Sequence, residues 1–296
     1  MSANTLAPDP TPLQQLRYRV RSWWTILRIA LEERLVYRGD FALGTLMRFL
    51  PIITQIFLWS AVFEAIGSNG TTSTANPQQL AGYSFHEMVA YYLLSMLARA
   101  FSSMPGLASS VARQIREGEI KKYIVQPVDL VGFLLLSRIA HKIAYYTVAT
   151  LPFAIVFFLC RGYFTGGWPS GPHLIAFLIS LVLAFMLGYF MDMCIGLIGF
   201  WFLEVSSLLF VYMLMNFFLS GHMFPLDLLP DPWRQLVDFL PLKYLAYFPA
   251  AIFLEKIPAD QLVWQIALEF LWLGFFVMLA RWMFAKGLKR YSGYGG

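Results

Sequence analysis

The chain has 296 residues, of which 58% are hydrophobic, 17% aromatic and only 13% charged, with a mean hydropathy of +0.61. Soluble domains carry about a quarter charged residues, so a water-soluble globule is excluded. The net charge of +5 comes from Lys and Arg that flank apolar stretches, a mark of membrane topology rather than of a nucleic-acid partner.

Residues 1–15 are polar and Pro-rich, unlike the basic-then-apolar start of a secretory signal, and are expected to be disordered. From Leu16 onward Val20, Trp24, Leu27, Leu31 and Leu35 recur at helical spacing, with Arg17, Arg21, Arg28 and Glu32 on the opposite face. This predicts an amphipathic helix over 16–38, carrying Trp23 and Trp24 at its waist and lying in the lipid headgroup layer. Residues 39–296 then read as one six-span membrane domain.

The first span is predicted from Phe41 to Ala65, with Arg48 near enough to its start to snorkel to the interface. Residues 67–82 are rich in Gly, Ser, Thr, Asn and Gln, a polar loop that contains the short glycosylation-type triplet Asn69-Gly70-Thr71. A second span covers Phe85 to Met104, where Pro105-Gly106 breaks the helix. The third runs from Ile139 to Cys160, with Arg138 and Lys142 at its entry. The apolar run from Leu174 to Phe224 is too long for one crossing and is expected to break around Gly196 to Ser207. Between Pro225 and Pro258 the sequence is amphipathic, aromatic and punctuated by Pro, which predicts a pair of short helices dipping into the outer interface. The last span, Ala259 to Phe284, ends in a basic stop.

The fold class that follows is all-α integral membrane, with six transmembrane helices, an N-terminal interface helix and re-entrant short helices before the last span. Six Arg precede Phe41, seven Lys or Arg lie from Arg99 to Lys142 and four from Arg281 onward, against Arg161, Arg234, Lys243 and Lys256 on the other side. The positive-inside rule then places both termini and the Gly106 to Arg138 loop in the cytoplasm.

Chemistry of an enzyme's own is hard to find. His86, His141, His173 and His222 are scattered, Cys160 and Cys194 sit in apolar sequence, and no spacing suits a metal. There is no phosphate-binding G-x-x-x-x-G-K-[ST] and no dinucleotide fingerprint, so ATP is not expected to bind here. Asp192 and Glu204 are the notable acids, and both fit the turn between the fourth and fifth spans. Aromatic residues near the fifth span, among them Phe200, Trp201, Phe210, Tyr212, Phe217 and Phe218, suit packing better than a translocation path. The most informative polar stretch is Arg113 to Tyr123, where charges of both signs alternate with Ile115, Ile120 and Tyr123. A docking surface with apolar anchors and a solvated charged loop fit it equally.

The amphipathic start, the R-x-G-x-[IL] stretch at Arg116 to Ile120 followed by Gln126-Pro127-Val128-Asp129, the Phe224-Pro225-Leu226-Asp227-Leu228-Leu229-Pro230 segment, Tyr247-Phe248-Pro249 and the ending Gly287-Leu288-Lys289-Arg290-Tyr291 together resemble a permease subunit of the type-2 ABC exporters. Within that superfamily they are most similar to a branch first described as a domain of unknown function. The resemblance implies a permease of a bacterial inner (plasma) membrane that works as a dimer, with an identical or related second copy. It implies separate cytoplasmic ABC ATPase subunits that use ATP and Mg, and no cofactor or nucleic acid bound by this chain. Arg113, Arg116, Glu117, Gly118, Glu119, Ile120 and Lys121 would form the ATPase-coupling segment. A membrane-embedded lipid-modifying enzyme and a non-transporting scaffold are the competing readings.

Overall fold

A computed structural model describes residues 12–35, 38–68, 79–125, 129–202 and 204–291. Eleven α-helices occur among them: α1 Pro12–Leu35, α2 Arg38–Ser68, α3 Phe85–Ser102, α4 Leu107–Arg116, α5 Lys121–Val125, α6 Leu130–Leu159, α7 Gly171–Leu197, α8 Ser206–Leu219, α9 Trp233–Phe239, α10 Tyr247–Phe253 and α11 Ala259–Arg290. No β-strand occurs among the described residues.

Four segments are long and apolar enough to cross a bilayer: Phe49–Gly67, Leu130–Leu159, Gly171–Phe200 and Ala259–Arg290. The shorter apolar α8 has 14 residues, about 21 Å at the α-helical rise. Helix α3 has 18 residues and keeps most of its side chains buried against its neighbours. The helix tolerates Glu87 and Arg99 because each has a polar partner, Lys256 for Glu87 and Asn216 of α8 for Arg99.

Helix α7 is the centre of the bundle, with α3, α4, α10 and α11 packed around it. Its apolar sequence has a reason in this position, since most of its circumference is covered. Gly188 and Gly196 let the chain approach closely. A Cβ at Gly188 would collide with the Ser102 carbonyl, and one at Gly196 would lie 2.8 Å from the Ala108 oxygen and 2.8 Å from Val111 Cβ.

Several boundaries differ from the sequence expectation. Helix α1 begins at Pro12 rather than Leu16 and ends at Leu35, and α2 already starts at Arg38. Helix α1 packs along α6, with Trp23 close over Gly132, while Val20 and Trp24 stay exposed. Helix α6 begins at Leu130, not near Ile139, because Asp129 caps it: Asp129 Oδ2 accepts from the Gly132 N–H at 2.9 Å. Arg138 and Lys142 therefore lie inside the helix. At the other end of the chain α11 continues past Phe284 to Arg290. The expectations for residues 1–11, the Arg48 side chain, the Asn69-Gly70-Thr71 triplet and Gln126-Pro127-Val128 lie outside the described residues.

The segment between Pro225 and Pro258 forms short helices, α9 and α10 with 3-10 turns at Leu226–Leu228 and Pro241–Leu245, and its second part packs into the protein core. Leu242, Tyr244, Leu245, Phe248, Ala250 and Ile252 are buried, and α10 packs on α3 and α7. Its Pro residues limit helix length while its aromatics fill the space between long helices.

Candidate functional site

Helix α3 ends at Ser102, and its last carbonyls need partners. Lys142, reaching over from α6, supplies them: its Nζ donates to Ala100 O at 2.5 Å and to Ser103 O at 2.8 Å. Arg138 Nη1 donates to Pro105 O at 3.0 Å. Cations at a helix C-terminus also meet the negative end of its dipole. The basic residues read from sequence as topology signals thus hold the corner at which the chain turns from α3 into α4.

Helix α4 lays Leu107, Ala108, Val111, Ala112 and Ile115 onto α7. It stops at Gly118, whose φ of +78° is left-handed, a conformation that glycine adopts without steric cost. The Gly118 N–H donates to Ile115 O, and the Ile120 N–H donates to Gln114 O at 3.2 Å. The candidate coupling residues therefore divide. Ile115 and Ile120 are buried, 4% and 1% exposed, so they anchor the corner to its own chain and are not offered to a partner. Arg113, Arg116, Glu117, Glu119 and Lys121 point outward, with ion pairs Arg113–Glu117 at 4.0 Å and Lys122–Glu119 at 3.1 Å. The Glu119 hydrogen bond raises the Lys122 pKa above its ordinary value. Tyr123 stacks at an angle on Phe133.

The turn between α7 and α8 falls where the sequence places it, after Gly196. Glu204 sits in that turn, 3.7 Å from Arg116, and its carboxylate accepts from the Ser206 N–H at 2.9 Å. Ser206's side chain first and its backbone N–H second hold the Glu204 carboxyl below its usual range. Asp192 is elsewhere: it lies within α7, and Tyr212 of α8 donates to its Oδ1 at 2.7 Å. Arg99, within the second span predicted from sequence, belongs to α3, and its Nη1 donates to Asn216 Oδ1 of α8 at 3.0 Å. Two clefts of about 390 and 370 Å³ open on either side of it, and Arg99 and Ser103 line both.

Helix α8, which forms one wall of these clefts, has no buried residue. Phe210, Val211, Met213 and Phe218 are exposed along it, whereas Tyr212 turns inward to Asp192. Phe200 also packs inward: Gly287 admits its ring so closely that a Cβ there would collide with it, and Phe284 and Tyr291 flank it.

At the opposite end of α3, Asp227 accepts from Tyr83 and Tyr247 hydroxyls at 2.8 Å each and from Arg234 Nη2 at 2.9 Å. Tyr91 donates to Gly221 O at 2.5 Å and Tyr92 donates to Met223 O. The Phe-Pro-Leu-Asp segment is thereby tied down by a row of tyrosines at the start of α3.

The sequence that builds this central α7, the glycine-fitted corner and the tyrosine-pinned segment matches ABC-2 family transporter proteins over residues 49–295. The chain belongs to the ABC-2 transporter family. It is an integral membrane ABC transporter permease. No curated protein matches it. In this permease the residues on which the sequence resemblance rests have structural roles: Gly118 closes α4, Asp129 caps α6, Asp227 gathers three donors and Gly287 makes room for Phe200.

Sequence reading missed Glu269. It lies in α11, fully buried, with the buried Ser180 of α7 beside its carboxylate. The signal was present, an acid in the middle of an apolar helix, but which way it faces is not written in α11 alone.

Proposed function

We propose that this permease is the membrane-spanning subunit of an ATP-driven exporter, with α2, α3, α6, α7, α8 and α11 as its six crossings. The basic end of the bundle, with Arg138, Lys142, Arg281 and both termini, faces the cytoplasm of a bacterial inner membrane. Separate ATPase subunits dock on the outward side chains of the corner, Arg113, Arg116, Glu117, Glu119 and Lys121. Gly118 and Ile120 set its shape. A second copy of the permease, identical or related, covers the apolar face of α8, so that the clefts beside Arg99 lie along the path between the two copies.

The observation that carries this reading is the corner itself. Its apolar side is locked to α7 through Gly196, and its far end is joined to the α7–α8 turn through Arg116 and Glu204. A rigid element with a charged outer rim transmits a push at the rim to the helix beneath it, and α8 begins two residues beyond Glu204. ATP-driven closure of the ATPase pair then shifts the permeases between states of different substrate affinity.

The test is affinity purification of the tagged chain in mild detergent, with an ATPase assay on what accompanies it. A stoichiometric ATPase that is lost in an Arg113→Glu, Arg116→Glu, Lys121→Glu triple variant of unchanged elution volume supports the reading. A well-folded wild type with no ATPase partner in its native membrane overturns it.

A further inference from the structure

The two clefts beside Arg99 follow one another along the same pair of helices. On α3 the first takes Tyr92 and Met96 and the second takes Ser102 and the turn beyond it, with Arg99 and Ser103 common to both. On α8 the order is reversed: the second takes Leu209, Tyr212 and Asn216, and the first begins at Phe217 and continues to Met223 beyond the helix. The second cleft therefore lies at the corner, against Pro105 and Gly106, and the first lies towards the tyrosine-pinned end, where Tyr92 donates to Met223 O. The boundary between them falls at Arg99 on one helix and after Asn216 on the other. Arg99 Nη1 bridges that boundary, donating to Asn216 Oδ1 at 3.0 Å.

The bridge reaches a helix with no buried residue. Leu209, Tyr212, Asn216 and Leu219 are the partly covered side chains of α8, and their three- and four-residue spacing makes them one inward stripe. Two of them carry polar ties, Tyr212 to Asp192 of α7 and Asn216 to Arg99 of α3. Two groups of different kinds thus act on Arg99. Asn216 is a neutral acceptor, and Asp192, whose charge is coupled to Arg99, is an anion on the neighbouring α7. A guanidinium binds a carboxylate more strongly than an amide, so leaving Asn216 costs little while Asp192 keeps the cation compensated. Ionisable side chains at membrane depth line cavities and mark the routes through them.

We infer that Arg99 and Asn216 form a gate between the two halves of one passage. With the guanidinium on Asn216 the clefts are separate; with it turned to Asp192, α8 is released from α3 and the clefts join. The gate deepens the permease reading, on which its part in transport rests, whereas the division of the passage at this pair does not depend on that reading.

The test is the reactivity of a single cysteine, Met96→Cys, in the full chain with Cys160 and Cys194 replaced by Ala. The chain is held in sealed vesicles whose sidedness is read from Glu119→Cys in a parallel sample. Membrane-impermeant methanethiosulfonates of either charge are added from the corner side or from the opposite side. Asn216→Leu keeps the side-chain size and removes the acceptor. It is expected to raise the corner-side rate about tenfold or more, the worth of a hydrogen bond to a charged group, and to leave the rate from the other side unchanged. Asn216→Asp holds the guanidinium more tightly and is expected to bring the corner-side rate to or below that of the parent. An unchanged rate in Asn216→Leu, an equal rise from both sides, or a rise in Asn216→Asp overturns the gate. Should Asn216→Leu fail to fold, Asn216→Ala takes its place with the same expected and overturning outcomes. The expected pattern in membranes that yield no ATPase partner upholds the gate and removes the permease reading alone, whereas an ATPase partner with rates indifferent to residue 216 removes the gate alone.

Discussion

The Tyr83 hydroxyl donates to Asp227 Oδ2 at 2.8 Å across 144 residues of sequence. It fastens the segment before α9 to the start of α3, and Asp227, whose side chain is only 13% exposed, serves Tyr247 and Arg234 at the same time. Asp227→Ala leaves two tyrosine hydroxyls and a guanidinium without this acceptor. The expected loss is about 2–4 kcal/mol, seen as a lower melting temperature in detergent, and Asp227→Asn is expected to lose less because one acceptor oxygen remains.

Gly196 and Gly274 make a matched pair. A methyl group at Gly196 meets the Ala108 carbonyl and Val111 at 2.8 Å, whereas nothing lies within 4 Å of the Cβ position at Gly274. Gly196→Ala is expected to cost about 1–3 kcal/mol by pushing α4 off α7. Gly274→Ala is expected to be neutral or to gain up to about 1 kcal/mol from helix propensity. Parallel thermal melts of the two variants check this, and equal effects would contradict the close packing of the corner.

The rim of the corner is expected to matter for partner binding and hardly at all for stability. Arg116 and Glu204 are 47% and 68% exposed, and exposed pairs contribute about 0–1 kcal/mol. Arg116→Glu should therefore keep the wild-type melting temperature while weakening ATPase co-purification. The pH dependence has a definite sign: because the Glu204 carboxyl is held below its usual range, its contribution is present above the ordinary carboxylate pKa and is lost as pH falls through the lowered folded value. Partner binding measured between about pH 6 and 8 should not change on account of this pair.

Glu269 is fully buried beside Ser180, with no cation paired to it among the described residues. A carboxylate so placed is costly to keep ionised, by several kcal/mol, so the neutral isostere should fit at least as well. Glu269→Gln is expected to match the wild type within about 1 kcal/mol or to exceed it, and Glu269→Lys to lower expression and melting temperature sharply. A severe loss in Glu269→Gln would show that the charge itself is used.

Much of the architecture was legible from local pattern. Pro105-Gly106 ends α3, the Gly196 to Ser207 interruption separates α7 from α8, and the apolar runs mark the long helices, because hydropathy and backbone chemistry act within a few residues. The corner was legible as a special stretch, but not which of its residues faced outward. Ile115 and Ile120 look the same in sequence whether they anchor a partner or their own core, and only the packing of α4 on α7 decides between them. The Arg99 clefts were not legible at all, since the walls of one come from α2, α3, α8 and the turn after α8, and those of the other from α3, α4, α7 and α8.

What the sequence by itself determined was the solvent of this protein and the order of its helices. Composition demands a bilayer, the family motifs mark where glycine and capping carboxylates are needed, and the basic clusters mark one end of the bundle. Only the tertiary structure decided that Lys142 caps α3, that Arg99 lines a cleft, that Asp192 lies within α7 and that Glu269 faces inward. Those outcomes depend on which helix faces meet, and each face is chosen by close contacts between residues far apart in the chain, such as Gly188 with Ser102 and Tyr212 with Asp192, which no window along the sequence contains.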